Sequence, residues 1–205
     1  MFSAALVRFA RGFSGRIGAW LLRYPVVFAA LCGLALALIG IASHGQTYGT
    51  GYAQARGMVE GTATLSGSYV VLKFAANVIS YISGIPGGIF APALSVGAGL
   101  GKWLSHFIPA APEGAVVLLG MVSYFSGVVQ APITAAVIVM EMTDNQQVTV
   151  PLLAASFLAF GISRLVCRRP IYGALARYFL EAQTKSAALA HAKIVSSERE
   201  QPPEQ

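Results

Sequence analysis

The chain has 205 residues, of which 56% are hydrophobic and only 11% charged, with a mean hydropathy of +0.65. A soluble domain carries roughly 25% charged residues because it must cover a water-facing surface; this shortage excludes a soluble enzyme, and the abundance of apolar groups excludes a disordered chain. The formal charge of +6 does not build a nucleic-acid face, because the cations sit at the ends of apolar runs and not along a stripe of interleaved aromatics.

Lipid is therefore the expected solvent, and the elements follow in chain order. Arg8, Arg11, Arg16 and Arg23 flank the first apolar run, Tyr24 to Ser43, which at about 20 residues is long enough to cross hydrocarbon and is read as a retained helix, not a cleaved signal. A loop from His44 to Gly61 follows, with weak helical spacing at Tyr52 to Glu60 that suits a short interfacial helix. Ser68 to Ile82 is the second apolar segment. Lys73 and Asn77 interrupt it four residues apart, on one helical face. That polar face suits either the lining of an ion pathway or hydrogen bonds within a helical bundle, and the second reading is the simpler.

The breaker cluster Ser83-Gly84-Ile85-Pro86-Gly87-Gly88 leads into the apolar run Ile89 to Leu100. Ala115 to Val129 comes next and ends at Gln130-Ala131-Pro132, and Ile133 to Met142 is too short to span alone. The polar turn Asp144-Asn145-Gln146-Gln147 precedes a long apolar helix, Val148 to Cys167. Arg168-Arg169-Pro170 breaks it, and Ile171 to Leu180 starts another. Residues 1–180 are thus one membrane domain, and residues 181–205 form a short polar tail on the cytoplasmic side. The fold class is all-α, a polytopic integral membrane protein with full and broken, half-spanning helices.

Broken helices at membrane depth are tolerated only where protein or an aqueous cavity satisfies the backbone, and in transporters such breaks mark ion sites. The stretch from Ser83 to Leu94 is the most informative. Gly87 and Gly88 free the backbone, and Pro92 fits the first turn of the helix that follows. The amides of Ile89 and Phe90 then stand at a positive dipole end, where an anion binds without a formal cation. Partial charges hold an anion weakly enough to release it, as conduction requires. A tight turn between two helices explains the same residues equally well. Tyr172, just after the second breaker, has a hydroxyl able to donate to an anion, although an interfacial tyrosine is the plainer reading. Glu141 closes a short apolar run beside a polar turn and is read as structural, not as a proton relay. Cys32 and Cys167 are read as packed free thiols. With His44, His106 and His191 scattered, no metal spacing, nucleophile–base pair or P-loop is present, so an enzyme using Glu141 is not supported and neither metal nor cofactor is expected.

Three segments resemble one known family. Ser83-Gly84-Ile85-Pro86-Gly87-Gly88-Ile89-Phe90-Ala91-Pro92 is similar to the third signature of the CLC chloride channels and chloride/proton antiporters. Ala131-Pro132-Ile133-Thr134 with Val139-Met140-Glu141-Met142-Thr143-Asp144-Asn145 resembles the block that follows, and Arg169-Pro170-Ile171-Tyr172 resembles the segment carrying that family's anion-coordinating tyrosine. The resemblance runs in the right order across roughly Gly49 to Arg177 and implies one inverted-repeat half of the CLC fold. It further implies chloride transport, with Gly88, Ile89, Phe90 and the Tyr172 hydroxyl holding the central chloride. It also implies a homodimer interface that includes Ile133, Val137, Met140, Leu152 and Leu153. The expected setting is lipid, in a bacterial inner membrane, with chloride and protons as the transported ions. Only the second of the two family halves is matched, so a first half, carrying the gating segment G-K-x-G-P, is expected to complete the pore. Channel and antiporter both stay open here, and a non-transporting half that dimerises with or modulates full-length relatives is the alternative.

Overall fold

The computed structural model describes residues 25–63, 67–83, 88–143 and 148–166, all within one compact unit, Met1–Arg168. Seven helices and no strand occur among the described residues: α1 (Pro25–Ala42), α2 (Tyr52–Val59), α3 (Tyr69–Ile82), α4 (Phe90–Ser105), α5 (Glu113–Val129), α6 (Pro132–Thr143) and α7 (Thr149–Val166). By length and composition α7 can cross a membrane, whereas α3, α5 and α6 are shorter apolar helices. The first apolar run, expected over Tyr24 to Ser43, is helical from Pro25 to Ala42 among the described residues, and Tyr24 lies outside them. The break predicted at Gln130-Ala131-Pro132 is where α5 stops. Gln130 turns left-handed (φ 59°), its N–H bonds the Ser126 carbonyl at 2.8 Å, and Pro132 then opens α6 at the position where a missing N–H costs least.

The chain is built around the pair α4 and α5. Gly97 and Gly101 of α4 face α5 so closely that a Cβ on Gly97 would lie 2.8 Å from the Gly120 carbonyl oxygen, and one on Gly101 would lie 2.6 Å from Val117 Cα. Gly99 faces the other way, where a Cβ would meet Val70 Cγ2 at 2.8 Å on α3. Small residues four apart let two backbones touch, which is how helices associate when lipid removes the hydrophobic drive. The same glycines explain why α4 runs to Ser105 and not to Leu100. They are packing surfaces, and the helix continues through them.

At its far end the α4–α5 hairpin is closed by an ion pair between Lys102, in the last turn of α4, and Glu113, in the first turn of α5. Each charge lies at the helix end whose dipole favours it. The core gathers Leu94 and Ala98 of α4, Val117, Met121, Val122 and Phe125 of α5, Ala135 and Val139 of α6, and Leu152 of α7. Serines fasten α7 to that core. Ser126 Oγ donates to the Ser156 carbonyl at 2.8 Å, Ser156 Oγ to the Pro132 carbonyl at 2.6 Å, and Ser163 Oγ to the Gly127 carbonyl at 2.5 Å. The opposite face of α7, with Val150, Leu158, Ile162 and Leu165, is apolar and exposed. On α2, Arg56 and Glu60 pair at 2.7 Å, one turn apart, and the carboxylate holds the guanidinium above its usual value.

Candidate functional site

The expected site lies where α4 begins. Ile89 is the residue before the first helical turn, and the first bond of the helical ladder is donated by Ala93 to the Ile89 carbonyl at 3.1 Å. The amides of Ile89, Phe90 and Ala91 therefore precede that ladder, and Pro92, in the third helical position, has no N–H to contribute. The N-cap residue, Ile89, makes no side-chain cap hydrogen bond. The sequence places these donors at the positive end of a 16-residue helix about 24 Å long.

The surrounding side chains hold this turn in place. Tyr81 Oη donates to the Gly88 carbonyl at 3.2 Å, so the end of α3 is tied to the residue just ahead of the site. Asn77 Nδ2 donates to the Pro92 carbonyl at 3.1 Å, joining α3 to the first turn of α4. Phe90 packs edge-on against Phe125 of α5, with ring centroids 5.2 Å apart. Gly88 has open space where a Cβ would stand. A turn with donating amides ahead of its ladder, braced from α3 and α5, can bind a small anion without a formal cation in contact with it.

Of the residues expected to bind the anion, Gly88, Ile89 and Phe90 are brought together in this turn. Tyr172 lies outside the described residues, as do Gly87, Cys167 and the segment Asp144–Gln147. Lys73 and Asn77 do share a face, as their spacing required; Asn77 makes a bond between helices and Lys73 ties down the loop between α1 and α2. Asn77 reaches α4, and Lys73 Nζ donates to the Thr47 and Gly49 carbonyls, each at 2.8 Å. Glu141 is exposed near the end of α6. Of the residues expected at a dimer interface, Ile133 and Val137 are exposed on α6, while Met140 and Leu153 are partly buried against the core. Leu152 is 1% exposed and belongs to the core. It supports α7 from inside and does not lie on an outer face. Tyr81 was not singled out by sequence reading; its place at i and i+4 from Asn77 on one face was the available signal. No cluster of His, Cys, Asp or Glu able to hold a metal occurs among the described residues. A cavity of about 280 Å³ opens between α2 and the α5–α6 region, lined by Arg56, Glu60, Met121 and Met142 among others, and shares no residue with the α4 turn.

Comparison with known proteins gives this turn its context. The "Voltage gated chloride channel" family profile matches residues 1–164, a region that contains the α4 turn and stops before Tyr172. The H(+)/Cl(-) exchange transporter ClcA of Yersinia pestis is 33% identical over 172 residues, covering 79% of this chain and 34% of the relative. The protein of the same name from Vibrio campbellii is 35% identical over 118 residues, covering 53% of this chain and 25% of the relative. That from Klebsiella pneumoniae is 32% identical over 124 residues, covering 58% and 26%. The chain thus spans at most about a third of the length of these curated relatives. The family match reaches back to residue 1, ahead of the motifs, the first of which begins at Ser83, and of the stretch from roughly Gly49 over which the resemblance runs. It makes the chain a membrane protein of all-helical fold, and the chain belongs to the voltage-gated chloride channel, or CLC, family.

Proposed function

We propose that the chain supplies one half of a chloride pathway in a chloride/proton exchanger of a bacterial inner membrane. Chloride is held by the amides of Gly88, Ile89 and Phe90 at the start of α4 and by the Tyr172 hydroxyl. A complementary half of the family fold closes the site and carries the gating and proton-transfer acids. The observation that carries this reading is the turn at Ile89, whose amides precede the helical ladder while Asn77 and Tyr81 fix its carbonyls. The relatives' names, all of H(+)/Cl(-) exchange transporters, favour transport over a non-transporting half and over an enzyme.

Chloride acts here as substrate, and the scheme uses no metal or organic cofactor. Residues 1–180 form the membrane part of this scheme, and 181–205 its cytoplasmic tail. Two copies meet through the outer faces of α6 and α7. Ile133 and Val137 supply contact area, Met140 and Leu153 lie at its edge, and Leu152 supports α7 from the core behind.

Chloride efflux from proteoliposomes carrying the protein with its complementary half tests the reading. Replacing Tyr172→Phe removes one donor to the ion and is expected to weaken apparent chloride affinity by about ten-fold, the worth of one hydrogen bond to a charged group. An unchanged affinity in a folded, transporting variant removes Tyr172 from the site.

A further inference from the structure

We infer that Lys73 is the fixed positive charge of the anion pathway, a positioning residue that raises the affinity of the α4 turn for an anion without touching it. The inference rests on the proposal that this turn binds chloride. Lys73 is 1% exposed, in the middle of α3. Its ammonium donates to two backbone carbonyls, of Thr47 and Gly49. Three acids occur among the described residues, and none of them serves it: Glu60 pairs with Arg56, Glu113 pairs with Lys102, and Glu141 is exposed on α6. Among the described residues the Lys73 charge is therefore buried without a carboxylate. Burying a cation is costly unless a negative charge compensates it, and carbonyl dipoles do this only in part. A site of this kind favours occupancy of any nearby position by an anion.

The surroundings place that position at the start of α4. Gly51 approaches α3 and α4 so closely that a Cβ there would lie 2.7 Å from Ser95 Cβ and 3.0 Å from Lys73 Cε. The lysine stem therefore lies alongside Ser95, in the second turn of α4, where Ser95 Oγ also meets the Tyr69 hydroxyl at 2.5 Å. One turn further along α3, about 6 Å, Asn77 holds the Pro92 carbonyl of the first turn. Ser95 stands five residues, about 7.5 Å along the helix axis, beyond Phe90, which puts the ammonium on the order of 10 Å from the leading amides of α4. At that range, and at the effective dielectric of a protein interior, a unit charge changes the affinity of a monovalent anion by about ten-fold. Salt does not screen it as it screens a surface charge. Held at a distance by Thr47 and Gly49, the charge attracts the ion without forming the contact pair that would trap it.

Chloride affinity, measured by calorimetry in lipid nanodiscs, and the chloride-induced rise in unfolding temperature together test the inference. Lys73→Gln keeps a donor for the loop carbonyls but removes the charge, and Lys73→Arg keeps the charge. Ser95→Asp leaves the lysine in place and neutralises it from the next helix. The expected result is about ten-fold weaker chloride binding in the Gln and Asp variants and a change of no more than about two-fold in the Arg variant. If the Gln and Asp variants unfold at lower temperature but bind chloride as the parent does, Lys73 is only a clamp on the loop and the inference is overturned. If the unsubstituted protein binds no chloride, the reading of the α4 turn fails first and this inference falls with it.

Discussion

Replacing Gly101 by alanine is the most discriminating perturbation of the scaffold, because helix propensity and packing predict opposite signs. In an isolated helix, Gly→Ala stabilises by about 1 kcal/mol. At Gly101 the new Cβ would stand 2.6 Å from Val117 Cα, 2.7 Å from the Val116 carbonyl oxygen and 2.9 Å from the Val117 carbonyl oxygen. All three are backbone atoms, which cannot rotate away as a side chain does. Ordinary contact begins at 3.4 Å, so α4 and α5 must separate by about 0.8 Å at their crossing. Overpacking of a close-packed interior costs about 1–3 kcal/mol, and the upper end applies where backbone must move. The net expectation is a destabilisation of about 2 kcal/mol, after the propensity gain.

Gly161 provides the matched control. It lies inside α7, where a Cβ would meet nothing within 4 Å, so Gly161→Ala is expected to be neutral or stabilising by up to about 1 kcal/mol. Reversible denaturation in detergent micelles, followed by circular dichroism, measures both variants. Equal stability of Gly101→Ala and Gly161→Ala would refute the close crossing of α4 and α5. Because α4 carries the candidate site at its first turn and Phe125 of α5 braces Phe90, the same separation is expected to weaken anion binding as well.

Two further outcomes follow from the hydrogen bonds and from the placement of one acid. Ser126→Ala and Ser156→Ala each remove one bond that fastens α7 to its neighbours, and each is expected to cost about 0.6–1.5 kcal/mol in the same denaturation assay; no change in either variant would show that α7 is held by packing alone. Glu141→Gln alters an exposed carboxylate at the end of α6 and is expected to leave stability within about 0.5 kcal/mol and chloride flux unchanged, whereas abolished proton coupling in a folded variant would make it a relay.

Much of this architecture was legible in the sequence because the breakers are strong. Pro132 after Gln130-Ala131 and the glycines ahead of Ile89 mark helix starts that the structure reproduces to within a residue. The site turn was equally legible, since glycine before an apolar helix with proline in its first turn leaves donating amides at a positive end. The end of α4 was misjudged for a physical reason. Glycine carries the same letter whether it breaks a helix or admits a neighbouring backbone, and Gly99 and Gly101 do the second. Leu152 was counted at a dimer interface by family resemblance alone, and α7 is apolar enough all round that its sequence does not say which side meets the core. Ser126, Ser156 and Ser163 went unnoticed for a related reason. A serine in an apolar run looks like an interruption until its carbonyl partner, here about 30 or more residues away in sequence for two of the three, is in place.

The central claim is that the first turn of α4 is an anion site. Crystals of the protein grown with its complementary half in bromide, measured by anomalous diffraction at the bromine edge, test this most directly. The account predicts a bromide peak within hydrogen-bonding reach of the Ile89 and Phe90 amides and of the Tyr172 hydroxyl. Well-ordered crystals with no peak at that turn, or with bromide bound only elsewhere, would contradict it.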